Sequence, residues 1–368
     1  MRAKISKSSP PDYFFIALTI ALIIFGFVML TSASSDLAKK DFGDSFYYLK
    51  HQLLNGLVFG IFGFFACSLI FYRRLTRIAL LLLVVNIVVL LLVFTPLGFR
   101  TKGAARWLNI YGFSFQPGEF LKLTFLIFLA FWITKNQERG KSLSRGFLPF
   151  LSLLFIVTFL LLIQPSTTSA FLIIAASIIM YFVGGARPRF FIGIILLAAV
   201  SLATLIFITP YRFDRVKVFL GIEKNQLKEA YQINQTLTSI GSGGWKGVGF
   251  GQSTAKLKSL PEPLADSIFA IIAEELGFVG AISLVLIFFL FVWRGLMIAR
   301  ASPDSFGKLL AVGFTSLIGL QAFINIAAVS GLIPLTGVPL PFISYGGTAL
   351  AVFLTMCGII VNISKYRR

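Results

Sequence analysis

The segment Leu260-Pro-Glu-Pro-Leu-Ala-Asp266-Ser-Ile-Phe-Ala-Ile-Ile-Ala-Glu274-Glu275-Leu-Gly277 sets one carboxylate at the mouth of an apolar run and two more inside it. Only 14 of the 368 residues are Asp or Glu. A charge sunk in hydrocarbon costs about 2.5–3.5 kcal/mol on insertion scales, so an acid there is a functional candidate by default. Two compatible roles suit Asp266. As a helix N-cap, after a Pro-rich lead-in, it accepts hydrogen bonds from the first free N–H groups. As an ionised carboxylate facing a wet cleft, with Lys256 and Lys258 close in sequence, it can take a proton from a substrate hydroxyl. Glu274 and Glu275 would lie roughly 12 Å deeper, about 80° and 180° around the helix from Asp266. They therefore cannot both share its cavity, and hydrogen bonding inside a helix bundle is the expected role.

Glu119 and Lys122 stand three apart in Phe115-Gln-Pro-Gly-Glu-Phe-Leu-Lys. That spacing puts them on one helix face, able to pair and offset each other's desolvation. The same pairing would hold an ammonium near the surface as a compact phosphate-binding charge. Arg100, Lys102 and Arg106 precede them. They are either ordinary interfacial cations or a clamp in which Arg gives bidentate bonds to phosphate. His51 is the only histidine, and Cys67 and Cys357 both fall in apolar runs. His-rich metal sites, CxxC metal sites and a Ser-His-Asp triad are thereby disfavoured, and acid–base chemistry falls to carboxylates, Lys or Tyr.

The elements that must position these groups follow from composition. The chain is 57% hydrophobic and 13% charged, with 41 Phe. No soluble core of this length can hide so much apolar surface. Runs of about 20 apolar residues recur, each able to cross a bilayer of about 30 Å. The fold expected is an all-α polytopic membrane protein, a single domain over 1–368. Ten spans fall near 13–33, 53–72, 77–95, 118–134, 147–164, 168–186, 190–209, 267–297, 308–330 and 345–364. The first is too long for a signal-peptide core and is taken as retained.

Eighteen Lys and Arg occupy connections on one side, against six (Lys39, Lys40, Lys50, Arg100, Lys102 and Arg106) in the other side's short connections. The richer side is expected to be cytoplasmic, with both termini on it. A large extracytoplasmic loop, about 210–266, joins spans seven and eight and carries eight more Lys and Arg. An outer face this cationic suits an anionic ligand such as a phosphate, or simply anionic lipid heads. Three outer stretches are irregular: 96–117 and 331–347 mix Gly and Pro, and 241–253 is Gly-rich. Irregular backbone at membrane depth survives only under protein or beside a wet cavity, so function is expected on that face.

At this point a resemblance adds to the residues. Gly103-Ala-Ala-Arg106-Trp107, Phe113-Ser-Phe-Gln116-Pro117-Gly-Glu119-Phe-Leu-Lys122, Gly241-Ser-Gly-Gly, Leu260-Pro-Glu-Pro-Leu-Ala-Asp266-Ser-Ile-Phe and Leu340-Pro-Phe-Ile-Ser-Tyr345-Gly-Gly resemble the SEDS family of FtsW, RodA and SpoVE. The motifs keep the family's order and cover essentially the whole chain. The resemblance implies an inverting peptidoglycan glycosyltransferase of the bacterial plasma membrane that polymerises lipid II on the outer face. It implies Asp266 as the essential acid, and Arg106, Glu119 and Lys122 as residues of the central cavity. Lys102, Lys256 and Lys258 are added as candidate substrate-binding cations. A class B penicillin-binding transpeptidase is the implied partner, with other division or elongation membrane proteins; a divalent cation, Mg or Mn, is the implied cofactor. No nucleic-acid partner is implied.

Two departures stand out. Gln164-Pro-Ser-Thr-Thr-Ser169 lacks the acid and glycine of the family's Gln-Pro-Asp-x-Gly-Thr, and Gly118 replaces a usual Ser. Leu-Pro-Glu-Pro and Gly-Ala-Ala-Arg-Trp-Leu look more like FtsW; Gly337-Val-Pro-Leu-Pro-Phe resembles RodA. A division enzyme is favoured over an elongation enzyme. A lipid II flippase and a non-catalytic scaffold for a transpeptidase are the rival classes.

Overall fold

The computed structural model describes residues 9–101, 104–110, 113–135, 142–164, 166–188, 190, 192–193, 210–219, 228–258 and 260–367. Its helices are α1 (Tyr13–Phe42), α2 (Tyr47–Leu69), α3 (Tyr72–Leu92), α4 (Pro117–Lys135), α5 (Leu143–Ile163), α6 (Thr167–Val183), α7 (Pro210–Phe219), α8 (Lys228–Ser242), α9 (Ala255–Lys258), α10 (Ile268–Arg300), α11 (Ser305–Val329) and α12 (Gly347–Ser364). Nine of these are the apolar helices expected from nine of the ten runs; α7, α8 and α9 belong to the long loop. The seventh expected span, about 190–209, falls almost wholly outside the described residues.

Burial separates the spans into two classes. In their most apolar stretches α4, α11 and α12 are 78, 72 and 83% buried, against 22–39% for α1, α2, α3, α5 and α10. The first three form the centre of the bundle, and the others turn Leu, Phe and Val outward, as lipid-facing helices do. Polar groups gather on the central helices: Glu119 and Lys122 on α4, Gln321 and Asn325 on α11, all buried.

The described residues nearest the two termini meet at one end of the bundle. The Ser9 amide donates to the Lys365 carbonyl (2.7 Å), and Asp12 pairs with Arg294 (2.6 Å) and Arg367 (3.2 Å). Tyr72 and Arg73 bind Asp304 at a second cluster, where the Asp304 carboxylate also caps α11 through the Gly307 amide (2.8 Å). These residues all come from the connections assigned to one side by basic-residue count. Ile268 stands at the opposite end of α10 from Arg294.

Burial raises the Asp12 carboxyl, but Arg294, the Phe15 amide and Arg367 overcome it and hold the group below its ordinary value of 3.8. A depressed carboxylate stabilises the fold above its unfolded-state pKa and loses that contribution as pH falls through its folded value. Asp12→Asn should therefore lower the thermal midpoint in detergent at pH 7, and the gap to wild type should close below about pH 4. A constant gap across that range would assign Asp12 a purely steric role.

One element departs from an all-helical chain. Between α3 and α4 the backbone forms a three-stranded antiparallel sheet, β1 (Gly98–Thr101), β2 (Ala104–Ile110) and β3 (Phe113–Phe115). Phe99 faces Trp107, and Leu108 faces both Gly98 and Phe115. The runs between the glycines of this stretch are too short in sequence for a helix and alternate well enough to pair.

Candidate active site

Asp266 sits on a turn, not in a helix. Helix α10 begins at Ile268, and its N-cap is Ser267, whose side chain makes no capping bond. The capping role expected of Asp266 is thus absent: Pro261 and Pro263 hold the lead-in as a turn one residue too long for it. The turn is instead pinned from outside. Tyr345 N–H donates to the Leu264 carbonyl (2.8 Å), Ser344 Oγ to the Ala265 carbonyl (2.5 Å), and Asn325 Nδ2 to the Asp266 carbonyl (2.8 Å). Ser267 Oγ donates to the Pro261 carbonyl (3.0 Å) and accepts from Gln232 Nε2 (3.2 Å). Three separate parts of the chain therefore fix four consecutive residues, which leaves a half-buried carboxylate on rigid backbone, as a preorganised catalytic group requires.

The cavity beside it is lined by Arg215, Gln232, Asp266, Asn325, Thr336 and Gly337, with apolar neighbours. Arg215 was one of eight cations in the long loop, with nothing in the sequence to single it out. On α7, Lys217 stacks on the ring of Phe213 (4.9 Å). Arg215 lies about 200° around from either, on the other face. Its Nη1 donates to the Leu335 carbonyl (2.7 Å), fixing the guanidinium against the loop that lines the cavity. Gly337 has φ +67°, and a Cβ built there would lie 3.2 Å from Asp266 Oδ2.

The other expected residues divide. Arg106, on β2, donates from Nε to the Gln164 carbonyl (3.1 Å). Glu119 and Lys122 pair at 2.6 Å, with side chains 7% and 1% exposed; the ammonium also donates to Gln321 Oε1 (3.1 Å) and sits over the Phe353 ring. Its partners enclose it, so here Lys122 is an interior ion-pair member and not a surface phosphate ligand. Lys256 is a clearer correction. Its Nζ bonds Glu275 (3.1 Å) and the Ser32 and Gly251 carbonyls, nearly out of reach of water, and it does not line the Asp266 cavity. Sequence proximity to Asp266 misled, because the buried Glu275 needs a counter-charge. Lys102 lies outside the described residues, as does the side chain of Lys258.

Glu274 and Glu275 explain the glycine-rich stretch. At Gly277 (φ 66°, ψ −167°) α10 breaks, which frees backbone groups that a continuous helix would pair. Val248 and Gly249 amides donate to the Glu274 and Glu275 carbonyls (2.9 and 3.1 Å), and Phe278 and Val279 amides donate to Gly244 and Trp245 carbonyls (2.8 and 3.2 Å). Gly247 packs against Glu275 and Gly277 so closely that any Cβ there would collide with backbone. The Glu274 carboxylate accepts from Ser253 Oγ (2.5 Å) and the Thr254 amide (2.9 Å), and Glu275 accepts from Ser32 Oγ (2.7 Å). The buried acids lock the loop into the helix break, a job done within the bundle and away from Asp266.

A family model described as a cell cycle protein, of the FtsW, RodA and SpoVE type, matches residues 12–368. The chain belongs to the SEDS family. It is 37% identical to stage V sporulation protein E of Bacillus subtilis, over 99% of each chain. It is 41% identical to a probable peptidoglycan glycosyltransferase FtsW of Trichlorobacter lovleyi, over 96% of this chain and 93% of that one. Among solved structures, a chain from work on a peptidoglycan synthase complex that coordinates polymerisation and crosslinking superposes with TM-score 0.80 at 26% identity, covering 96 and 97% of the two chains. The rod shape determining protein RodA of Thermus thermophilus gives 0.71 at 25%, covering 97 and 98%.

The SEDS departure at Gln164–Ser169 has a structural role after all. Gln164 accepts Arg106 on its carbonyl and donates from Nε2 to the Leu90 carbonyl (3.1 Å). Thr168 Oγ1 donates to the Thr336 carbonyl (2.9 Å). The segment thus ties the Arg106 sheet to the loop that lines the Asp266 cavity without an acid of its own.

Proposed function

We propose that this SEDS protein is a peptidoglycan glycosyltransferase that polymerises lipid II at the extracytoplasmic face of the bacterial plasma membrane. The observation that carries the reading is Asp266: a carboxylate on pinned backbone, opening on a cavity it shares with a guanidinium. Asp266 takes the proton of the acceptor sugar's 4-hydroxyl as that oxygen attacks the donor's anomeric carbon. The bond from that carbon to the donor's pyrophosphate oxygen breaks, and the electron pair leaves with the phosphate. Arg215, which lines the cavity, takes up the growing charge there, and Arg106 supports that wall through the Gln164–Thr168 segment. Attack opposite the leaving group inverts the centre, so an α-linked donor gives a β-linked strand.

A divalent cation takes no step in this scheme. Among the described residues no three His, Cys, Asp or Glu side chains converge, and the cavity lining pairs a single carboxylate with an arginine. A class B penicillin-binding transpeptidase is the proposed partner, in keeping with the synthase-complex neighbour. FtsW-named relatives at 34–41% identity favour a division role, and depletion in cells should then give filaments, not rounded cells.

The test is incubation of the detergent-purified chain, with its transpeptidase, with labelled lipid II. Polymer formed in micelles, where no second leaflet exists, is the expected result. Lipid II recovered chemically unchanged is what a flippase or a scaffold gives. In the same assay Gly337→Val should fall well below wild type, because its side chain grows toward the Asp266 carboxylate from a backbone conformation that costs a branched residue about 1–2 kcal/mol. Full activity in Gly337→Val would place the reacting hydroxyl elsewhere.

A further inference from the structure

We infer that Gln321 and Asn325 are positioning residues for Asp266, and that the Glu119–Lys122 pair acts on Asp266 through them. The inference rests on Asp266 being the base, as proposed above. Both amides lie on α11 four residues apart, on one face, and both are essentially unexposed. Neither spends its donor on a neighbouring helix. Gln321 Nε2 donates to the Pro339 carbonyl (3.0 Å), and Asn325 Nδ2 donates to the Val338 carbonyl (2.6 Å) and the Asp266 carbonyl (2.8 Å). The residue before Val338, Gly337, is the one at which an added Cβ would lie 3.2 Å from Asp266 Oδ2. Two side chains therefore set both the backbone that carries the carboxylate and the backbone that faces it.

The orientation of each amide is dictated by its partners. Lys122 can only donate, so Gln321 must turn Oε1 toward it (3.1 Å), which leaves Nε2 for Pro339, a residue that can only accept there. Glu119, 2.6 Å from the ammonium, holds that lysine in place. Asn325 faces two carbonyls and so must present Nδ2 to both. Charge on α4 thus fixes the handedness of an amide on α11, and that amide fixes the loop against the catalytic aspartate. This gives Glu119 and Lys122 a role in the reaction without contact with phosphate.

Gln321→Glu separates the links, since it keeps an oxygen for Lys122 and removes the donor to Pro339. Asn325→Asp removes the donor to both carbonyls at nearly constant volume. Measured on full-length protein with its transpeptidase and lipid II, both should lower kcat about 10–100-fold, the scale of an ångström-level misplacement. KM should stay near wild type and the acidic limb of the kcat–pH profile should move. The thermal midpoint should fall, because each variant buries a carboxylate against backbone carbonyls, so kcat is taken per folded protein. Lys122→Met and Gln321→Met should be non-additive in kcat when combined. Wild-type kcat and pH profile in Gln321→Glu and Asn325→Asp, beside an inactive Asp266→Asn, overturn the inference alone. Activity lost only in step with folded protein, with the profile unmoved, overturns it too. An active Asp266→Asn removes the base reading and this inference together.

Discussion

Asp266→Asn should reduce lipid II polymerisation by about 10²–10⁴-fold, the usual contribution of a positioned base. The substitution is nearly isosteric, and backbone carbonyls of Leu264, Ala265 and Asp266 accept the bonds that pin the turn from Tyr345, Ser344 and Asn325. The variant should therefore fold, insert and bind its transpeptidase as wild type does. The loss should fall on kcat, because the proton transfer belongs to the transition state, with KM little changed. A loss confined to KM would make Asp266 a substrate ligand. Co-purification of the partner and an unchanged thermal midpoint are the controls that separate chemistry from misfolding.

Glu119→Gln should be strongly destabilising. It leaves the Lys122 ammonium, 1% exposed, without its counter-charge, and breaking such a buried pair by removing one partner costs about 3–5 kcal/mol. Gln321 and the Phe353 ring remain beside the ammonium, but a neutral amide and a ring face do not replace a carboxylate. Combining Glu119→Gln with Lys122→Met removes both charges, and much of the lost stability should return. Activity should stay low, because Gln321 would then lack the donor that orients it. Thermal midpoints in detergent for the two variants decide this. A Glu119→Gln protein as stable as wild type, with only a raised KM, would return the pair to the phosphate-binding role first expected of it.

What the sequence carried was mostly local. Apolar runs located eight helices long enough to cross a membrane, and the shorter apolar α6, because length and hydropathy alone define a span. Asp266 was legible because an acid beside a span is rare in a chain so poor in acids, and the Glu119–Lys122 pair because three-residue spacing on a helix is contact. What escaped was set by distant partners. Nothing near Gly277 shows that α10 breaks there; the break exists because backbone some 30 residues upstream fills it. Lys256 looked like a neighbour of Asp266, yet Ser32 and Glu275 claim it. Arg215 was one loop cation among eight until α7 turned it toward the cavity. Gln321 and Asn325 carried a signal that could have been used: two amides four apart in an otherwise apolar helix must find polar partners.

The most direct measurement is the linkage of the product. Lipid II of defined anomeric configuration, given to the purified chain with its transpeptidase, should yield glycan whose new glycosidic bonds are β, read by NMR of the digested strands. A β-linked polymer made by wild type and absent with Asp266→Asn is the expected result. Polymer that retains the α configuration would contradict single-step attack assisted by Asp266.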